Sequence, residues 1–398
     1  MDLSRRNFFS SLGQQALDFV VPPVEAASSV NHSLVFVSLR GGMDGLNTIV
    51  PFGDPGYYEK RPRLAISKPG QGDDSAINLD GYFGLNPALS KLKSLYNVGD
   101  LAIIHAAGAP FVTRSHFDAR LSLESAYGYN DHFSDGWLGR YLSAKTDSSP
   151  FRAIAVKTAI SQALRGTRSV TALSKTEGFD LSTGSQLDFS GLLNNLYADR
   201  NDSLGSQGRD TLDALSLLDF YEPEKYKTPD NIKYPKSSFG ESLSNTAKYI
   251  KSGLGTEVFW LESGGWDHHD GLEKKLSQKL TDFSEGLSAF HQDMGAKMQN
   301  VTVIVMSEFG RRVRENASLG TDHGRGGCMF VLGKNVNGGR VHAQWPGLAD
   351  DQLNKGDLEI TTDYRIVLSE FLRKRMGNVN IRSIFPDFDH SQELGLFF

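Results

Sequence analysis

Val301-Thr302-Val303-Ile304-Val305-Met306 is followed at once by Ser307-Glu308-Phe309-Gly310-Arg311-Arg312 and, shortly after, by Gly320-Thr321-Asp322-His323-Gly324. The first six residues are apolar or β-branched and are bounded by polar ones, the pattern of a short strand buried in a sheet. Open α/β sheets keep their active sites beyond the carboxyl ends of such strands. A glutamate and a histidine at that position supply the oxygen and imidazole donors that a catalytic zinc or manganese ion uses.

Similar runs recur on both sides. Leu34-Val35-Phe36-Val37-Ser38-Leu39 reads as a first buried strand ending in Arg40-Gly41-Gly42-Met43-Asp44-Gly45. After a helix-like stretch from Pro87 to Tyr96, Leu101 to His105 reads as a second, and its loop runs on to Ser115-His116-Phe117-Asp118, where Ser115 is placed to cap a helix. Phe151 to Val156 is a third candidate, and Thr256 to Leu261 leads into Gly264-Gly265-Trp266-Asp267-His268-His269. Leu272, Leu276, Leu280, Phe283, Leu287 and Phe290 give Leu272 to Met294 the spacing of an amphipathic helix. With a further strand near 328–332, the alternation predicts an α/β fold built on a mainly parallel, doubly wound sheet. Residues 176–255 are richer in Ser, Asp and Asn and carry helical patterns near Leu192 to Leu196, Thr211 to Leu218 and Leu243 to Ile250. They are expected to form a helical insertion or cap.

The chain has 398 residues, long enough for one large domain or two smaller ones. A formal net charge of -5 gives no electrostatic case for a nucleic-acid partner. Cys328 is the single cysteine, which excludes an intramolecular disulfide and a multi-cysteine zinc site; its apolar neighbours mark it as a buried, inert thiol. No Gly-x-Gly-x-x-Gly follows the first strand, which argues against a dinucleotide enzyme. Ser4-Arg5-Arg6-Asn7-Phe8-Phe9 resembles a twin-arginine export signal, and Val24-Glu25-Ala26-Ala27 offers a cleavage region. The stretch between is interrupted by Gln14, Gln15 and Asp18, and no segment approaches the roughly 20 apolar residues of a spanning helix. The expected organisation is a signal over 1–29, engaging the twin-arginine translocase and directing the chain to the periplasm, then one α/β domain over 30–398.

Four strand exits thus carry polar candidates: Asp44; Thr113, Ser115 and His116; Asp267, His268 and His269; Glu308 with Asp322 and His323. In a doubly wound sheet such exits converge on one edge. Asp44 follows two glycines that permit close approach to a ligand, the alternative being a turn residue. Ser115 is a candidate nucleophile as well as a helix cap, since a helix N-terminus also stabilises a phosphate. His116 is either a ligand or a core histidine. The i, i+2 spacing of Asp267 and His269 puts both on one side of an extended segment as metal ligands, with His268 pointing away. Glu308 and His323 are read as ligands, the alternative being an ion-pair network with Arg311, Arg312 and Arg314. The histidines at 32, 105, 132, 291, 342 and 390 belong to no constellation.

Leu39 to Asn47, Thr113-Arg114-Ser115-His116-Phe117-Asp118, Gly136-Trp137-Leu138-Gly139-Arg140, Gly264 to His269, Met306 to Arg312, Thr321-Asp322-His323-Gly324 and Thr361-Thr362-Asp363-Tyr364-Arg365 together resemble the bacterial DUF1501 family. Its members often carry twin-arginine signals and look like distant relatives of the alkaline phosphatase/sulfatase superfamily. The resemblance implies an alkaline-phosphatase-like fold, with Asp44 as first metal ligand and Ser115 (alternatively Thr113) as nucleophile. It makes Asp267 and His269 a ligand pair, Glu308 the late acidic ligand and His323 the final histidine. One or two divalent ions, zinc or manganese, are implied, with Arg114 or Arg140 on the equatorial oxygens of a phosphate-type or sulfate ester. One departure stands out. The late Asp-His element of the superfamily is here Glu308-Phe309, so a histidine ligand is lost unless His116 or His323 replaces it. Ser115-His116-Phe117-Asp118 lacks the proline and arginine of a formylglycine sulfatase, which favours phosphate esters. The expectation is an exported metal-dependent hydrolase acting on a small-molecule or glycan ester. The alternative is a non-catalytic periplasmic binding or assembly protein that kept the fold.

Overall fold

Strand β1 (Ser33–Arg40) lies at the centre of the sheet because both its faces are apolar. Val35, Val37 and Leu39 point into one hydrophobic core and Leu34 and Phe36 into another. Two-sided burial is why this strand and β6 (Val301–Ser307) read as near-continuous apolar runs rather than as alternating ones. The structure, a computed structural model, describes residues 32–110, 113–127, 134–145, 149–173, 195–197, 199–377 and 380–398. The export signal expected over 1–29 lies outside the described residues.

The remaining strands of the main sheet are β2 (Leu101–Gly108), β3 (Ala153–Val156), β4 (Val170–Leu173), β5 (Val258–Gly264), β7 (Gly327–Leu332), β8 (Val341–His342) and β9 (Thr362–Asp363). Their order is β8-β2-β7-β6-β1-β5-β3-β4, with β9 also paired to β2. β1 is parallel to β5 and β6, and β3 is parallel to β4 and β5. The register sets Val35 beside both Phe259 and Val303, so three strands end level with one another. Their exits at Arg40, Gly264 and Ser307 therefore share one edge.

The α/β, mostly parallel sheet agrees with the reading of the sequence, with one difference. β7 runs antiparallel to both β6 and β2. An antiparallel neighbour needs no helical crossover. The link from β6 to β7 is accordingly a long loop on the site edge rather than a helix.

Helices cover both faces. The longer helices among the described residues are α1 (His116–Ser125), α2 (Trp137–Ser143), α3 (Ser203–Tyr221), α4 (Ser238–Ser252), α5 (Leu272–Met294) and α6 (Tyr364–Arg375). The apolar stripe of α5 and the residues Phe239, Leu243, Ala247 and Tyr249 of α4 fill the core on the Val35 side. α2 and α6 fill the other, where Phe36 stacks on Trp260 at 4.8 Å. Within the polar 176–255 stretch, α4 is thus a core helix of the sandwich. α6 starts at a side-chain cap, Asp363 accepting from the Arg365 amide at 2.9 Å, and carries Arg373, Lys374 and Arg375 in its last turn, where the helix dipole favours cations. The stretch from Pro87 begins as a 3-10 helix over Pro87–Leu92 and turns α-helical only over Lys93–Asn97.

Candidate metal centre

Three loops meet at the shared strand edge, and two glycines let them do so. Gly41 has φ of 126°, and a Cβ there would lie 2.5 Å from the Asp267 amide nitrogen. Gly42 has φ of 66°, and its Cβ would lie 2.5 Å from the Phe309 ring. Both positions combine a left-handed backbone with a contact that excludes any side chain. Arg311 then fastens the loops. Its buried guanidinium donates from Nε to the Gly42 carbonyl at 2.5 Å, from Nη1 to the Thr321 carbonyl at 2.8 Å, and from Nη2 to Asp267 Oδ1 at 2.5 Å. Nη2 also reaches the Gly41 carbonyl.

Around Asp267 the polar atoms are short of protons. Asp267 Oδ1 lies 3.1 Å from His323 Nε2 and 3.0 Å from His269 Nε2, and those two nitrogens are 2.9 Å apart. His323 Nδ1 donates to the Arg114 carbonyl at 2.8 Å, which leaves a lone pair on Nε2. His116 Nδ1 faces Glu308 Oε1 at 2.7 Å, so a neutral His116 likewise directs its Nε2 lone pair inward, 3.4 Å from Asp267 Oδ2. That Nε2 atom is buried and has no hydrogen-bond partner among the described residues. Two imidazole nitrogens and a carboxylate thus turn toward one another, with Arg311 and His269 Nε2 at the edge of the group.

His116, Asp267 and His323 offer ligand atoms that all lie within 4.8 Å of one another, so they form a group able to hold a metal ion. Two nitrogens and an oxygen are the donor set of a three-ligand catalytic site, and the second ring nitrogen of each histidine is held by an acceptor as such sites require. His269 joins the edge of this group, with its Nδ1 3.3 Å from Asp322 Oδ1. Burial acts to raise the Asp267 carboxyl, but the hydrogen bond from the Arg311 guanidinium outweighs it and holds the group well below the usual carboxylate range. His116 is shifted up, chiefly by its hydrogen bond to Glu308.

The other expected residues fall elsewhere. Asp44 is buried and fully engaged: Oδ1 takes Arg61 Nη1 at 2.7 Å and the Asn47 amide at 2.8 Å, and Oδ2 takes the Thr321 hydroxyl at 2.9 Å. It ties the first strand exit to the Thr321 loop and is not in the ligand group. Glu308 accepts from the Gly41 amide at 2.8 Å as well as facing His116, so it holds the His116 ring. Ser115 caps α1, its Oγ accepting from the Asp118 amide at 3.4 Å, and Thr113 Oγ1 accepts from the Ser115 amide at 3.2 Å. Arg114 pairs with Asp357 at 2.7 Å. Arg140 is tied to the Ile384 and Ser125 carbonyls and to Asp135. His268 is buried while Asp267 and His269 are exposed, as the i, i+2 spacing implies. Phe309 stacks on His116 at 4.8 Å and packs at a tilt against His323 at 4.9 Å, a wall against both rings. Arg61 and Phe309 carried no signal of these roles in the sequence, because each acts on residues distant in the chain.

The sequence model described as "Protein of unknown function (DUF1501)" matches residues 105–369. The chain belongs to the DUF1501 family. The DUF1501 match includes His116, Asp267, His269, Glu308, Arg311 and His323. No curated protein matches this DUF1501 chain in a sequence search. Among solved structures it is similar to Ps i-CgsB in complex with k-i-k-neocarrahexaose, at 9% identity and a TM-score of 0.41, covering 90% of this chain and 75% of that chain. It is also similar to the zinc complex of the C-terminal periplasmic domain of EcEptC from Escherichia coli, at 9% identity and a TM-score of 0.35, covering 77% and 74% of the two chains. A third is the PsFucS1 sulfatase from Pseudoalteromonas sp., at 12% identity and a TM-score of 0.35, covering 93% and 74%.

Proposed function

We propose that this DUF1501 protein is an exported metal-dependent hydrolase of phosphate-type or sulfate esters. The observation that carries the reading is the convergence of His116 Nε2, His323 Nε2 and Asp267 on one point beyond the parallel strands. When bound there, a divalent ion such as zinc or manganese supplies charge that polarises an ester oxygen and makes a nucleophile available at neutral pH. Glu308 and the Arg114 carbonyl hold the two histidine rings so that lone pairs face inward. Arg311 keeps Asp267 ionised and in place. Ser115 immediately precedes His116 at the N-terminus of α1, where the helix favours developing negative charge, and it is the nucleophile in this reading, with Thr113 as the alternative. With Asp44 and Glu308 both committed to protein partners, one ion is favoured over two.

Export rests on Arg5-Arg6 and the Ala26-Ala27 region of the sequence. No helix among the described residues is long and apolar enough to cross a membrane. The competing reading, a periplasmic binding or assembly protein with a degenerate centre, draws support from Asp44, whose carboxylate is neutralised by Arg61.

Elemental analysis of the purified protein, followed by turnover of an aryl phosphate and an aryl sulfate, separates the two. One equivalent of metal and an activity lost in His116→Ala and Ser115→Ala is the expected result. Folded protein that takes up no metal refutes the hydrolase. Full activity in Ser115→Ala transfers the nucleophile role to Thr113 or water.

A further inference from the structure

The outer face of α1 and the segment following β3 line an open cleft of about 300 Å³, whose wall residue Phe117 directly follows His116 in the chain. Phe117, Arg120, Leu121 and Glu124 line it, at i, i+3, i+4 and i+7 along one face of α1. Arg165 and Arg40 also line it, Arg40 being paired with Glu262 at 2.7 Å. A second cavity of about 410 Å³ shares Arg40 and Glu262 with the first and extends it along the strand edge.

Three observations mark a binding cleft. Phe117 leaves 80% of its surface exposed beside the site, an aromatic platform with nothing stacked on it among the aromatic pairs of the described residues. The Glu124 side chain is only 4% exposed, yet its Oε1 has no hydrogen bond, only an ion pair with Arg120 Nε at 3.4 Å, while Oε2 takes the Ser161 hydroxyl at 2.7 Å. A buried acceptor on a cavity wall is satisfied by a donor from whatever fills the cavity. Finally, the lining sets Arg40, Arg120 and Arg165 against Glu124 and Glu262, a net positive charge on a chain of formal net charge -5.

We infer that this cleft holds a carbohydrate ring bearing an anionic substituent, the non-reacting part of an ester whose scissile group sits at His116, Asp267 and His323. The inference rests on the hydrolase reading above for its orientation. An apolar ring face stacks on Phe117, a ring hydroxyl donates to Glu124 Oε1, and Arg165 receives the anionic group. A flat aryl group would use Phe117 but leave Glu124 Oε1 without a hydrogen-bond donor. The adjoining cavity accommodates a second ring.

The test is calorimetric titration of the full chain with a heparin-derived tetrasaccharide, with maltotetraose and tripolyphosphate as comparisons. The tetrasaccharide is expected to bind more tightly than either, and Phe117→Ala and Glu124→Gln are each expected to weaken it by about tenfold. Because Phe117 is exposed, its truncation leaves the fold intact and decides the matter even if Glu124→Gln misfolds. Tripolyphosphate binding as tight as the tetrasaccharide, or an unchanged tetrasaccharide affinity in Phe117→Ala, overturns the inference. Aryl phosphate turnover without tetrasaccharide binding overturns it while leaving the hydrolase standing. Tetrasaccharide binding that both variants weaken, without any ester turnover, supports the cleft and removes the hydrolase.

Discussion

Glu308 Oε1 lies 2.7 Å from His116 Nδ1, and that contact decides which nitrogen of His116 faces Asp267. Burial pushes the Glu308 carboxyl up, but the His116 hydrogen bond, helped by the Gly41 amide, brings it below its ordinary value. A charged carboxylate behind an imidazole raises its basicity as a ligand. Glu308→Gln keeps an acceptor of the same shape and removes only the charge. Metal affinity, read by chelator competition, should fall about 10- to 100-fold with folding unchanged. Wild-type affinity in Glu308→Gln would show that Glu308 orients nothing of consequence.

Asp44 and Arg61 form a buried pair at 2.7 Å, with neither side chain exposed by more than 1%. Removing one partner of such a pair costs about 3–5 kcal/mol because the other charge is left buried. Arg61→Met should therefore lower the urea midpoint strongly, and the double variant Asp44→Asn/Arg61→Met should recover part of the loss. Metal content in the double variant should stay at the wild-type value. Loss of metal there would return Asp44 to the ligand set.

The difference between these two carboxylates explains what could be read from the sequence. Runs such as Leu34 to Leu39 and Val301 to Met306 announce strands because burial on both faces requires apolar residues at every position. The Leu272 to Met294 stripe announces its helix for the equivalent reason at a period of 3.6. Strand exits then place Asp44, Asp267 and Glu308 on one edge. Which of them faces solvent is set by partners far away in the chain, Arg61 for Asp44 and His116 for Glu308, and no local pattern encodes those pairings. The direction of β7 was hidden likewise, since an apolar hexamer has the same composition whichever way it runs.

His105 makes a stability prediction that a titration can check. Its Nε2 donates to the Ile49 carbonyl at 2.9 Å and its Nδ1 accepts from the Ala106 amide at 2.8 Å, so the neutral ring is satisfied and an added proton would face an amide hydrogen. Burial lowers its pKa to about 4, below an unfolded value of about 6.5. The unfolded chain therefore binds the extra proton between these values, so stability is full above pH 6.5 and declines as the pH falls toward 4. The loss reaches roughly 3 kcal/mol for this one group. His105→Gln should be less stable than wild type at pH 7 and lose less on acidification. Parallel pH profiles for the two proteins would rule out His105 as the source.

Arg311 is the residue whose loss should disturb the site most without touching a ligand's identity. It serves acceptors on three loops at once: the Gly41 and Gly42 carbonyls, Asp267 Oδ1 and the Thr321 carbonyl. Only a planar fork with five donors spans that set; a lysine ammonium is one point with three. Arg311→Met leaves the Gly41, Gly42 and Thr321 carbonyls without their donor, and at about 1–3 kcal/mol for each unsatisfied buried acceptor should lower unfolding free energy by several kcal/mol. Arg311→Lys keeps a charge near Asp267 and should recover part of that stability. It cannot hold the Gly41-Gly42 turn and the Thr321 loop together, so the spacing of Asp267 and His323 relaxes and metal affinity should remain at least about tenfold below wild type. Urea midpoints and chelator competition measured on both variants decide this. An Arg311→Lys protein with wild-type stability and metal affinity would mean that charge alone, and not the fork, organises the three loops.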